Sequence, residues 1–156
     1  MKRAYSDLYL RDAMRTLAGS FDAAVYTYDY ELPEYYSIFS NSTFAMKFET
    51  GDPFVISGES GIELAEKVIS QHLGEDVHKQ PIFNDDKTPE YWLGWALAYY
   101  QWHSACSFKT LAEIIPVENM LNMYSKYHQM DITQFVDRMD ELRRTSINNT
   151  KSILND

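Results

Sequence analysis

His103 and Cys106 stand three residues apart in a stretch of helical pattern, a spacing that makes a thiol–imidazole pair conceivable. The bland reading is a core thiol beside a hydrogen-bonded histidine, since no third residue that would orient the base is evident. His72, Glu75, Asp76 and His78 supply metal-type ligands around a predicted helix end. A zinc site needs three or four ligands converging from defined positions, and a polar loop collects such residues by chance, so no metal is expected. Asp85 and Asp86 are adjacent and point different ways, which suits a solvated loop better than a shared proton. The chain contains no GxGxxG, no GxxxxGK[ST] and no HExxH, and Gly58-Glu59-Ser60-Gly61 is not the GxSxG nucleophile elbow. No catalytic residue and no cofactor is expected from these motifs.

A different chemistry, that of a binding surface, collects in residues 26–39. Tyr26, Tyr28, Tyr30, Tyr35 and Tyr36 crowd together with Asp29, Glu31 and Glu34, and no Lys or Arg occurs from Thr16 to Met46. Tyrosine gives large contact area at low conformational cost plus a hydrogen-bonding tip, and adjoining carboxylates select a basic partner. Tyr26, Tyr30 and Tyr35 cannot all follow Tyr28, Tyr36 and Phe39 onto one buried stripe, so some rings are expected at the surface around Pro33. Tyr26, Asp29, Tyr30, Glu31, Glu34 and Tyr35 are the expected partner-binding residues. The competing reading lines the core with most of the rings and leaves the acids to solvate helix ends. The polar stretch 75–87 is the next choice of surface.

The elements that must position these residues are helical. Residues 89–106, PEYWLGWALAYYQWHSAC, hold all three tryptophans, and aromatic residues face nearly every direction around the helix. A helix apolar all round is a buried one, so the others are expected to pack about it. Thr88 caps its start and Pro89 occupies the first turn, where no N–H is needed. Gln101, His103 and Ser104 interrupt the run before it reaches the ~20 apolar residues that span a bilayer.

Towards the N-terminus, Ser6 or Asp7 can cap a long amphipathic helix with Leu10, Met14, Leu17, Phe21, Ala24 or Val25, and Tyr28 inward. Gly19 inside it marks a close helix crossing or a bend. Pro33 opens a short helix with Tyr35, Tyr36 and Phe39. Ser42 or Asn41 starts another that ends at Gly51-Asp52-Pro53. Phe54-Val55-Ile56 is β-prone but too short to form a sheet. Ser60 and Glu63 have capping-box spacing, and Gly74 ends the helix they open. Residues 75–87 read as a long exposed loop. Ser107 and Pro116 begin two further helices, and Asp131 with Gln134 opens the last, whose exposed face carries Asp137, Asp140, Glu141, Arg138, Arg143 and Arg144. The expectation is an all-α bundle of seven to eight helices in a single domain, residues 1–145, with a frayed tail from 146 to 156.

The composition fits that outline. The chain has 156 residues, 45% of them hydrophobic, and a formal net charge of −9, which argues against phosphate binding by Lys and Arg. A single cysteine allows no internal disulfide, and no apolar leader follows Met1, so the cytoplasm is the expected compartment.

The order of SDLYLRDAMRTLAGSFDAAV, GESGIELAEKVI, TPEYWLGWALAYYQWHSACSF and DITQFVDRMDEL resembles the N-terminal accessory region of bacterial, mostly Firmicute, helix-turn-helix regulators of the XRE type. The resemblance covers nearly the whole chain and implies a helical fold linked to toxin–antitoxin style gene pairs. In such regulators the last segment is followed by a helix-turn-helix domain, into which this sequence does not extend, so no direct nucleic-acid contact is expected. The expected function is a non-enzymatic protein-interaction module, regulatory or antitoxin-like, that binds a basic protein partner; homo-oligomerisation stays open and no membrane is involved. Two alternatives are an acidic nucleic-acid-mimicking inhibitor from a mobile element and a small enzyme built on His103 and Cys106.

Overall fold

Most helix starts in the structure, a computed structural model that describes residues 2–155 and side chains as far as residue 149, lie where a side chain takes over from the backbone. After a 3-10 turn at Asp7–Tyr9, capped by Ser6, come α1 (Leu10–Tyr26), α2 (Leu32–Ser40), α3 (Thr43–Glu49), α4 (Pro53–Ile56) and α5 (Gly61–Leu73). These are followed by α6 (Pro89–Ser104), α7 (Phe108–Ile114), α8 (Val117–Asn122), α9 (Tyr124–Tyr127) and α10 (Ile132–Asn155). Ser42, Asp52, Ser60, Thr88 and Ser107 each accept a hydrogen bond from an amide in the first turn they precede. Such caps satisfy amides that the helix itself leaves free, typically for ~1 kcal/mol each. Ser60 and Glu63 form the full reciprocal box, and Gly74 closes α5 at φ 73°.

Among the described residues there is no strand, and the chain is all-α. Several local expectations are corrected. Phe54-Val55-Ile56 forms one turn of helix, because Asp52 caps it and Pro53 fits its first position. The helix after Pro116 breaks at Met123 into α8 and α9. Asp131 accepts from the Thr133 amide at 2.9 Å rather than entering a box with Gln134. The last helix, α10, takes in the stretch from 146 and runs to Asn155.

The centre of the packing is α1 rather than the aromatic stretch of α6. α1 buries Ala13, Met14, Thr16, Leu17, Ala18, Ser20, Phe21, Ala23 and Ala24, which covers most of its circumference. It lies against α6 and α5, with further contacts to α2 and α4. Close approach explains the small residues. A methyl on Gly61 would sit 2.5 Å from the Gly19 backbone, and one on Gly94 would sit 2.6 Å from the Leu17 carbonyl oxygen. α6 is therefore a buried partner of α1 through Leu93, Gly94, Leu97 and Ala98, while Trp95, Tyr99 and Trp102 lie half-buried on its outer side. Trp92 and Tyr100 are buried with these residues, so the aromatic rings of α6 divide between its buried and its outer side.

A second layer of aromatic rings fixes the shorter helices. Phe21, Tyr35, Tyr36, Phe39, Phe48 and Phe108 meet mostly edge to face, with centroids 5.2–6.5 Å apart. Their hydroxyls find partners: Tyr35 Oη lies 2.5 Å from Ser20 Oγ, and Tyr36 Oη donates to the Phe108 carbonyl at 2.7 Å. Glu49, half-buried, accepts from the Phe108 amide at 2.6 Å and so ties α3 to the start of α7.

Two measurements check this packing. Gly61→Ala and Gly94→Ala should each cost ~2–3 kcal/mol, because overpacking against a neighbouring backbone outweighs the ~1 kcal/mol gained in helix propensity. Chemical denaturation midpoints unchanged from wild type would contradict the close crossings. Burial also holds the Tyr35, Tyr36 and Tyr100 hydroxyls well above the usual phenol range. The folded chain then keeps protons that the unfolded chain releases above about pH 10, so stability is unaffected below that pH and falls as pH rises beyond it. Tyrosinate absorbance from these rings should therefore appear together with loss of helical ellipticity.

Candidate interaction surface

The end of α1 and the 75–87 loop form one surface, held by short polar contacts. Asp22, on the penultimate turn of α1, accepts from Thr88 Oγ1 at 2.6 Å and from Asn84 Nδ2 at 3.3 Å. Thr27 Oγ1 accepts from the Ile82 amide at 3.1 Å. Lys79 Nζ reaches Asp29 Oδ2 at 3.5 Å and lies 5.9 Å from the centre of the Tyr28 ring. Further along, the Val77 amide donates to Ser70 Oγ at 3.0 Å, while Tyr28 Oη donates to Glu66 at 3.0 Å and the His78 ring lies 3.1 Å from that same carboxylate. The loop carries no helix of its own, yet contacts from both ends pin it across α1 and α5.

Of the residues expected to bind a partner, Asp29, Glu31 and Glu34 are exposed. Asp29 adopts φ 61°, a left-handed conformation that Asp tolerates better than most residues, and it turns the chain from α1 into α2. Tyr26 is half-buried and donates to Glu90 Oε2 at 3.0 Å. Its burial, that hydrogen bond and the charges of Glu90 and Asp22 push its hydroxyl up to about 12. Tyr30 is half-buried against the core. Tyr35 is corrected: it is fully buried and hydrogen-bonded to Ser20, so it cannot meet a partner. The reason is that α2 touches α1, α3, α5, α7 and α8, which buries more than one side of so short a helix. The base-free interval in sequence is also not base-free in space, since Lys79 folds onto Asp29.

What stands exposed on this surface is a pair of apolar side chains that the tyrosine argument passed over. Ile82 is 55% and Phe83 78% exposed. They sit at the lip of a cleft of about 360 Å³ that also takes in Gly19, Gly61, Asp22 and the exposed Asp85 and Asp86. Two adjacent large apolar residues inside an otherwise charged loop were the available signal.

The other chemical candidates separate. α6 ends at Ser104, and Ala105 takes φ 58°, so Cys106 leaves the helix and the i,i+3 relation to His103 no longer holds. His103 instead stacks near Tyr99 and Tyr100, with centroids 6.4 and 6.2 Å away, and burial lowers its pKa. Tyr100 Oη donates to Asp140 at 2.7 Å and accepts from Arg143 at 3.1 Å, which draws inward two charges expected on the solvated face of α10. Arg138 and Glu141 do pair on that face, at 3.1 Å. Among the described residues no group of three or more His, Cys, Asp or Glu is placed to hold a metal ion, and no helix is long and apolar enough to cross a membrane.

No family model, no curated protein and no solved structure matches this chain. The geometry of the surface is therefore the ground for a functional reading.

Asp22→Ala should release the loop, since it removes the acceptor of three hydrogen bonds, and bonds to charged groups are worth ~1.5–3 kcal/mol each. Limited proteolysis should then cut within residues 75–87 at least several times faster than in wild type. An unchanged cleavage rate would show that the loop is held by something other than Asp22.

Proposed function

We propose that this chain is a non-catalytic protein-interaction module, regulatory or antitoxin-like, that binds a basic protein partner through the surface formed by the 27–34 turn and the 75–87 loop. The observation that carries the reading is the exposure of Ile82 and Phe83 on a loop held by Thr27 at the Ile82 amide and by Asp22 at the Asn84 side chain. A fixed loop loses little entropy on binding, and apolar anchors ringed by carboxylates exclude water while favouring cationic neighbours. Asp29, Glu31, Glu34, Asp85 and Asp86 supply the negative rim. Tyr26 and Tyr30, both half-buried, stiffen this surface more than they extend it. The resemblance of the helical segments to accessory regions of XRE-type regulators agrees with a regulatory role.

Proteins retained from a cell extract should be compared between wild type and Phe83→Asp, and the purified partner then titrated against both. Phe83→Asp and Ile82→Asp should each weaken binding by ~2 kcal/mol or more with the melting temperature unchanged. Neutralising Asp29, Glu31 and Glu34 together should slow association and reduce its salt dependence. Affinity that collapses with salt while ignoring Phe83→Asp would contradict this reading and favour an acidic mimic of nucleic acid instead.

A further inference from the structure

Adjoining that loop surface, the end of the loop, the first two turns of α6 and the α9 segment enclose a small pocket of about 250 Å³ lined by Lys87, Tyr91, Trp92, Trp95, Tyr124 and His128. Five of its six walls are flat rings. Trp92 forms the floor and is itself immobilised, edge to face with Tyr124 at 5.9 Å and with Phe135 at 5.4 Å. Tyr124 and His128 stack as parallel plates with centroids 4.1 Å apart. The His128 ring nitrogen Nδ1 lies 2.6 Å from the Tyr124 carbonyl oxygen. A carbonyl only accepts, so Nδ1 carries the hydrogen and the imidazole plane is fixed. Tyr91 and Trp95 are half-buried, and Trp95 packs against the core.

The cation at the pocket decides the charge of the ligand. Lys87 is exposed, its Nζ lies 5.4 Å from the centre of the Tyr91 ring, and among the described residues no carboxylate pairs with it. An aromatic enclosure without such a group would suit a quaternary ammonium ion. Here an ammonium already covers one ring face and would repel a second cation, while it would attract an anion at the same place. Pockets for drug-sized molecules run to ~300–1,000 Å³, so this one suits one ring or two fused rings.

We propose that this pocket binds a small planar aromatic anion, its ring stacked among Tyr91, Trp95 and Tyr124 and its carboxylate paired with Lys87. The pocket shares Lys87 and Tyr91 with the cleft beside Ile82 and Phe83, but its ligand differs in kind and its test, read on Trp92 and Trp95, is separate from that of the protein-binding surface.

The three tryptophans supply the assay, because each has its own indole N–H resonance and Trp102, whose Nε1 donates to the Tyr5 carbonyl at 2.8 Å, does not line the pocket. Indole-3-carboxylate titrated into the nitrogen-15-labelled chain should shift the Trp92 and Trp95 signals saturably and leave Trp102 in place. Trp95→Ala should weaken binding about tenfold, a change of one decade in Kd. Lys87→Gln, at an exposed position where folding is not at stake, should weaken indole-3-carboxylate about threefold and leave uncharged indole unaffected. Three outcomes would overturn the proposal: no saturable shift up to ~10 mM probe, a weak affinity by any standard; equal shifts at all three tryptophans; or binding of tetramethylammonium in preference to the carboxylate.

Discussion

The contact on which the rest depends is the approach of α1 to two neighbours at distances that only glycine allows. At the Gly19–Gly61 crossing and at Gly94 against Leu17 and Ala18, backbones meet with no side chain between them. Such crossings gain dispersion contacts along whole helices and leave no space for a Cβ. They also hold α5 and α6 against α1, which brings Thr88 within reach of Asp22 and Glu66 within reach of Tyr28, just past the end of α1. The loop between α5 and α6 must then cross the end of α1, and the candidate surface follows from that path.

Polar residues inside the bundle are used as connectors rather than as reactive groups. Ser20 joins Tyr35, Thr16 donates to the Ile56 carbonyl at 3.1 Å, Glu49 holds the start of α7, and Tyr100 links α6 to Asp140 and Arg143 of α10. A buried hydroxyl or carboxylate without a partner costs more than the bond it would make, so such pairs specify which helix lies beside which. Burial raises the pKa of Glu49, while the Phe108 amide opposes the shift. Each of these groups already has a structural partner, whereas Ile82 and Phe83 present their side chains outward.

Much of the helical outline was legible because it is local. Ser42, Ser60, Thr88 and Ser107 announce themselves by type and position, and Gly74 by its left-handed turn. The packing was less legible. In α6 the expectation of burial all round holds for Trp92 and Tyr100 but not for Trp95, Tyr99 and Trp102, because the narrow gap beside α1 takes the face that carries Gly94. In the same way, Tyr35 followed its neighbours inward because α2 has helices on several sides, which no periodicity in nine residues can reveal. The candidate site was half visible: Asp29, Glu31 and Glu34 are exposed as expected, but the junction with the loop rests on Asp22 and Thr27 reaching partners more than fifty residues away. Tertiary pairs of that kind leave no mark in spacing.

Native-state hydrogen exchange tests the central claim, that α1 is the axis about which the bundle is built. Amides of Thr16–Ala24 should exchange only through global unfolding, with protection matching the full stability of the chain, while amides of the 75–87 loop and of α7–α9 exchange through smaller openings. Protection in α1 no greater than in those short helices would contradict the account, and greatest protection confined to α6 would move the axis there.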